Sequence, residues 1–279
     1  MDGTMEPFLL LTLLLIAVGA GVIGALFGLG GGIIFIPVLT ILYGLDATSA
    51  AAAPSLVGIV ATSTGSASGY VRKGVSNIRL GMMMEITTCA GAIIGAAVAI
   101  YLDNTVLLVI FSCVMLYSGF KMAVSPEKLT VEHEEGDPMT FEYEDPTADP
   151  PRQKYTVKNV KSGMALCTVA GAVSSMTGVG GGAIKVPLMN IHMHVPVKVA
   201  SATSSYMIGI TAFSGAVIYF IHGDILLDVA AAVAVGAYVG ALIGTRIASK
   251  VNAKSLKRYM SVVFFAIAAI MFCEAGGIL

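Results

Sequence analysis

Two stretches carry the residue types best suited to chemistry, GLGGGIIFIP at 28–37 and GVGGGAIKVP at 178–187. Each has a Gly-x-Gly-Gly-Gly core, a branched residue after the first glycine and a closing proline. Three glycines in a row, Gly30, Gly31 and Gly32 in one copy and Gly180, Gly181 and Gly182 in the other, reach backbone angles closed to other residues and leave amide N–H groups uncovered. A short helix is predicted to restart at each cluster. Its first N–H groups lack intrahelical partners and carry partial positive charge, so each tip is a candidate seat for the oxygens of an anion. Lys185 stands in the second copy where the first has Phe35. The expected site is therefore symmetric in backbone and asymmetric in charge.

Other candidates surround the clusters. Glu85, in MMMEITT, is read as an acid within the membrane, and Lys185 is the one Lys or Arg of the 16 that the loop plan leaves within the membrane. A lone ammonium in hydrocarbon costs about 3 kcal/mol or more, so Lys185 needs a counter-ion, water or an anionic ligand. Two assignments stay open: Glu85 and Lys185 pair structurally, or Lys185 meets substrate while Glu85 carries protons. Snorkelling of the lysine toward water is a third. Hydroxyls crowd the spans that follow the clusters: Ser55, Thr62, Ser63, Thr64, Ser66 and Ser68 in one, Thr203, Ser204, Ser205, Thr211 and Ser214 in the other. Such groups either line a polar path or bond back to their own helix. Ser55 and Ser204 are the better substrate-binding candidates because they occupy matching positions. His192 and His194 have no partner cluster and read as interfacial; Cys89, Cys113, Cys167 and Cys273 are scattered through apolar runs, without metal or disulfide spacing. No metal or other cofactor is implied.

The elements that must position these residues follow from composition. The chain of 279 residues is 56% hydrophobic and only 12% charged, with a mean hydropathy of +0.86, far from the balance of a soluble domain. Its partner is a lipid bilayer, not a nucleic acid. Apolar runs from Pro7 to Phe27, Ala50 to Val71, Leu80 to Leu102 and Val106 to Val124, and four more after residue 160, are long enough to cross ~30 Å of hydrocarbon. They are helices, because lipid satisfies no backbone donor and the alternation of a β-barrel is missing. The first run follows Asp2 and Glu6 instead of a basic region, so it reads as retained and not as a cleaved signal. Residues 125–158 break the pattern with nine acids and read as a solvated polar connector.

An internal duplication organises the rest. At an offset of 149 to 150 residues, APSL at 53–56 matches ATSS at 202–205, Tyr70 matches Tyr219, Gly74 matches Gly223, and GAIIGA at 91–96 matches GALIGT at 240–245. The expected architecture is an all-α integral membrane protein: a first repeat over 1–124, an acidic cytoplasmic linker over 125–158 and a second repeat over 159–279. Each repeat is a glycine-tipped broken or re-entrant helical hairpin followed by three transmembrane helices, 50–71, 79–102 and 104–124 in one and 197–221, 225–249 and 252–273 in the other. Five segments per repeat is odd, so the second repeat is inverted relative to the first. Charge agrees. Fifteen of the 16 Lys and Arg residues fall in loops on one side of this plan, which the positive-inside rule makes cytoplasmic, with both termini extracytoplasmic. The short segments 33–43 and 183–191 cover roughly half a membrane at ~1.5 Å per residue. Their tips are expected to flank one site near the midplane. Gly91, Gly95, Gly240 and Gly244 instead suit close helix packing.

With its two Gly-x-Gly-Gly-Gly clusters, each closed by proline, in the halves of a small Gly- and Ala-rich membrane protein, the chain resembles the sulfite exporter TauE/SafE family of inner-membrane anion transporters. The resemblance implies export of sulfite, sulfoacetate or related small sulfur oxyanions across the cell membrane. Where that family favours Gly-Thr-Ser after the second segment, this chain has APSL and ATSS. Outward export of one negative charge gains ~2.3 kcal/mol per 100 mV when the cytoplasm is negative, so no coupling ion is required. The alternative is a proton-coupled transporter of another small organic or inorganic anion, with Glu85 as the coupling group. An intramembrane enzyme lacks support from GxSxG, HExxH or a His beside an intramembrane Ser, and a non-transporting subunit would leave the duplicated tips unexplained.

Overall fold

The computed structural model describes residues 7–45, 49–125, 138–147, 151–222 and 226–276. The acids Asp46 and Asp224, and most of those in the linker, lie outside the described residues. Two runs of helices share one order. The first comprises α1 (Pro7–Phe27), α2 (Gly32–Pro37), α3 (Ser49–Arg72), α4 (Ile78–Ala99) and α5 (Asn104–Val124). The second comprises α6 (Val160–Thr177), α7 (Gly182–Pro187), α8 (Val197–His222), α9 (Leu227–Ala248) and α10 (Ala253–Ala275). The protein is a multi-pass membrane protein, with six helices among the described residues long and apolar enough to span: α1, α4, α5, α8, α9 and α10. Hydroxyls dilute α3, and α6 is only 18 residues long with Lys161 near its start.

The two short helices behave alike. Each ends on a proline, Pro37 or Pro187, and continues as one turn of wider π winding over Val38–Leu42 or Leu188–His192. Proline has no N–H and its ring crowds the preceding turn, which relaxes the α-helical ladder there. Even the exits match, since Leu45 N–H donates to Leu39 O and Val195 N–H to Met189 O.

Packing pairs each repeat with the other. Helix α1 lies along α9 and α6 along α4, while α3 and α8 pack on each other and α5 packs on α10. Small residues form the seams. A Cβ on Gly91 or Gly95 would land on the carbonyls of Thr168 and Ala172, and one on Gly240 or Gly244 on those of Val18 and Val22. Without a hydrophobic drive between helices in lipid, such close backbone approach supplies much of the packing energy. The outer faces carry large exposed apolar side chains, among them Leu11, Leu15, Ile86, Phe120, Phe213 and Phe220, as lipid contact requires.

The far ends of the two short helices meet opposite ends of α10. Thr40 Oγ1 donates to Glu274 Oε2 at 3.1 Å, near the end of α10. Lys257 Nζ donates to Asn190 Oδ1 at 2.8 Å, near its start.

Between the repeats, the connector is not wholly unstructured. Strands β1 (Thr140–Glu144) and β2 (Arg152–Thr156) form an antiparallel hairpin, with Glu142 opposite Lys154 and Glu144 opposite Arg152. Phe141 and Tyr143 pack on Tyr155, with ring centroids 6.0 and 5.8 Å away. A lone hairpin is marginal in water, so it needs a surface to lean on. That surface is the bundle: Asn77 Nδ2 donates to Tyr155 Oη at 2.8 Å, and Lys198 Nζ meets Asp145 Oδ1 at 2.7 Å. Burial alone would raise the Asp145 carboxyl, yet hydrogen bonds from Lys198 and Thr147 hold it below its ordinary value.

Candidate functional site

The glycine clusters form two matching turns. Helix α1 stops where Leu29 N–H and Gly30 N–H both return to Gly24 O, and α6 stops where Val179 N–H returns to Ser174 O. Gly31 (φ 84°) and Gly181 (φ 73°) then take left-handed angles immediately before α2 and α7. These angles are strained for any residue with a Cβ. Gly31 O collects the N–H groups of Ile34 and Phe35, and Gly181 O those of Ile184 and Lys185. Among the described residues, the N–H groups of Gly32, Ile33, Gly182 and Ala183 make no backbone hydrogen bond.

The turns abut one another. A Cβ on Gly32 would lie 2.6 Å from Val179 O, and one on Gly182 would lie 2.6 Å from Leu29 Cα. Ser55 Oγ of α3 donates to Gly178 O at 2.6 Å, and Ser204 Oγ of α8 donates to Gly28 O at 2.8 Å. Each serine thus ties down the other repeat's glycine turn. Its hydroxyl hydrogen is committed to that carbonyl in this conformation, so Ser55 and Ser204 position the tips here. The matching tyrosines act within their own repeats, Tyr70 donating to Ala25 O of α1 and Tyr219 to Ser175 O of α6. Most remaining hydroxyls bond back to their own helices, including Thr62 to Gly58 O, Thr64 to Val60 O and Ser214 to Ile210 O. Ser63 is an exception, reaching Ser205 O across the interface.

Two residues that sequence reasoning missed close the gap between the tips. Ile59 packs on Gly30, Gly32 and Gly180, and Ile208 packs on Gly30. They are 149 positions apart, so the repeat alignment itself was the signal that could have found them. Hydrocarbon fills the space between the two turns in this conformation.

Lys185 is fully buried and does not snorkel. Its Nζ donates to Thr211 Oγ1 at 2.6 Å and lies 3.5 Å from Glu85 Oε2. Thr211 Oγ1 in turn donates to Glu85 Oε1 at 2.6 Å, and Cys89 Sγ lies 3.4 Å from that same oxygen. Helices α4, α7 and α8 thereby converge on one polar cluster that α7 alone could not neutralise. The cluster is beside the second tip, since a Cβ on Gly181 would lie 3.4 Å from Lys185 Cε. No counterpart exists in the other repeat, where Phe35 replaces Lys185 and Ala234 matches Glu85. Of the histidines, His192 Nε2 lies 2.8 Å from Ser162 Oγ at the end of the π turn. All four cysteines are free.

Comparison with known proteins identifies the family. The model of the sulfite exporter TauE/SafE family matches residues 13–271. The probable membrane transporter protein YunE of Bacillus subtilis is 28% identical over 223 residues, covering 74% of this chain and 76% of that protein. A probable membrane transporter protein of Haemophilus influenzae is 27% identical over 231 residues, covering 78% and 76%. One from Methanocaldococcus jannaschii is 26% identical over 222 residues, covering 76% and 73%. No solved structure matches the chain significantly. With nearly its whole length matched and its helical repeats built around the two glycine turns, the chain belongs to the sulfite exporter TauE/SafE family of membrane transporters.

Proposed function

We propose that the protein exports small sulfur oxyanions, sulfite, sulfoacetate or similar, from the cytoplasm across the cell membrane through a site between its two glycine turns. The observation that carries this is the pairing of those turns: unpaired amides of Gly32, Ile33, Gly182 and Ala183 at abutting tips, beside the buried ammonium of Lys185. Amides at a helix start favour an oxyanion, and a charge-assisted hydrogen bond from lysine adds to them. Gly30, Gly31, Gly180 and Gly181 supply the turn, while Ser55 and Ser204 hold it. For the amides to meet an anion, Ile59 and Ile208 must withdraw, which is the movement that opens the site to one side at a time.

The repeats are inverted in this proposal. The meeting of Thr40 and Asn190 with opposite ends of α10 supports it, as does the gathering of Arg72, Lys73, Lys198 and Lys257 at the hairpin-bearing end. That end is cytoplasmic, and both termini are extracytoplasmic.

Export of a net negative charge is driven by the membrane potential, ~2.3 kcal/mol per charge at 100 mV. Purified protein in liposomes loaded with sulfite should release it at a rate that rises as the interior is made more negative with a potassium diffusion potential. Release equal to that of protein-free liposomes at every potential, for sulfite and sulfoacetate alike, would remove the assignment. A second reading, proton-coupled transport of another small anion, is favoured by one observation: the Glu85 carboxylate sits in a continuous chain of hydrogen bonds with Thr211 and Lys185. Flux in the same liposomes that follows an imposed pH gradient and ignores the potential would select it.

A further inference from the structure

Under the hairpin lies a cavity of about 450 Å³, at the ends of α1, α3, α8, α9 and α10. Three cationic residues line it, Arg72 and Lys73 from the end of α3 and Lys198 from the start of α8, facing Glu144 and Asp145 of the hairpin, with Lys73 Nζ also donating to Thr245 O. Its floor includes Leu26 and Ser201. Ser201 Oγ donates to Leu26 O at 3.3 Å, and a Cβ on Gly28 would collide with the Ser201 backbone. The floor is thus the outer side of the first glycine turn.

One cationic position in this cavity, Lys198, is occupied by the chain itself. Lys198 Nζ meets Asp145 Oδ1 at 2.7 Å and Thr147 Oγ1 at 2.7 Å. The same carboxylate oxygen accepts from Thr147 N–H at 2.8 Å and from Thr147 Oγ1 at 2.7 Å. Lys198 and Asp145 side chains are only 10% and 6% exposed, so the pair is sheltered from the screening that weakens surface ion pairs. A carboxylate held on a lysine at the mouth of this cavity presents the negative charge and acceptor oxygens that a small oxyanion would bring.

We propose that this cavity is a second binding site, for a small oxyanion such as sulfite or a sulfonate, and that Asp145 of the linker hairpin is a tethered competitor which the anion must displace from Lys198. The hairpin then governs loading: with Asp145 docked Lys198 is charge-satisfied, and with Asp145 displaced the anion lies one layer from the first glycine turn. A group tethered through a short segment competes at an effective concentration of about millimolar. Weak anions therefore load only when they are abundant. The oxyanion class rests on the export proposal, whereas the occupancy of Lys198 by Asp145 does not.

The test uses the purified full-length chain, with sulfite as the probe and chloride at equal ionic strength as the control. Sulfite binding is measured by calorimetry, and hydrogen exchange of residues 140–156 is followed in the same titration. In the wild-type chain, sulfite but not chloride should raise exchange across the hairpin. Asp145→Asn keeps the shape and the bond to Thr147 N–H but removes the charge, so sulfite affinity should rise on the order of tenfold by removal of the competitor. Lys198→Met should abolish that gain in the Asp145→Asn background. Equal sulfite affinity in wild type and Asp145→Asn, or wild-type hairpin exchange that is indifferent to sulfite, overturns the proposal. The second measurement needs no mutant, so it decides even where a variant fails to fold. Sulfite flux in liposomes with binding indifferent to Asp145 would overturn this site and keep export; the tenfold gain without flux would keep the site and discard export.

Discussion

Lys185 shows why the charge at the candidate site is asymmetric. Its ammonium is buried with Thr211 and Glu85, and removing one member of a buried pair strands the other, typically at 3–5 kcal/mol. Lys185→Met is therefore expected to lower thermal stability, and Lys185→Met with Glu85→Gln to recover most of it, because neither residue then carries an unpaired charge. Transport separates the structural role from a ligand role. If the ammonium also meets the anion, substrate affinity in the stable double mutant stays weaker by about 1.5–3 kcal/mol, the worth of one charged hydrogen bond. Wild-type affinity in the double mutant would show that the pair is structural only. Both singles and the double, measured for melting temperature and sulfite affinity, give the answer.

Among the elements, the hairpin is attached through a titrating contact, the ion pair of Lys198 with Asp145, beside the bond of Asn77 to Tyr155. Asp145 has a depressed folded pKa, so its contribution to docking is present above the ordinary carboxylate value, ~3.9, and is lost as pH falls through the folded value. The hydrogen-exchange protection of strands β1 and β2, corrected for intrinsic rates, should be flat from neutral pH down to that range and fall only below it. In Lys198→Met the fall should move to higher pH, because the lysine that depresses the carboxyl is gone. Protection that declines at the same pH in both proteins would show that another contact, such as Tyr155 with Asn77, carries the docking. The hairpin's short alternating strands, TFEYE and RQKYT, sit in an acidic, Pro-rich segment and were not legible as structure. Their partners are Asn77 and Lys198, far away in sequence.

At the scale of the whole molecule, the proposed inverted arrangement predicts opposite exposure of equivalent residues. Arg72 and Ile221 are 149 positions apart, end α3 and α8, and are both exposed. In a cysteine-free background, with Cys89, Cys113, Cys167 and Cys273 replaced, Ile221→Cys should react with an impermeant maleimide added outside cells. Arg72→Cys should react only after permeabilisation. Labelling of both from the same side would end the inverted plan and with it the sharing of one site by two tips.

The hydropathy runs, the 149-residue repeat and the breaks at the two glycine clusters were all legible without coordinates, because they depend on short-range physics: hydrocarbon thickness, helical rise, and angles that only glycine tolerates. The family resemblance rested on the same clusters, and the match over residues 13–271 agrees with it. What touches what was not legible. Glu85 and Lys185 are 100 residues apart in the chain, and whether they pair depended on how α4, α7 and α8 converge. Ser55 and Ser204 read as ligand candidates from matching position alone, and only the packed structure shows their hydroxyls spent on the opposite turn. Ile59 and Ile208 are ordinary apolar residues until two glycine turns are brought face to face around them. In each case the deciding quantity is a contact between segments that local sequence does not encode, set by which small residues let which backbones approach.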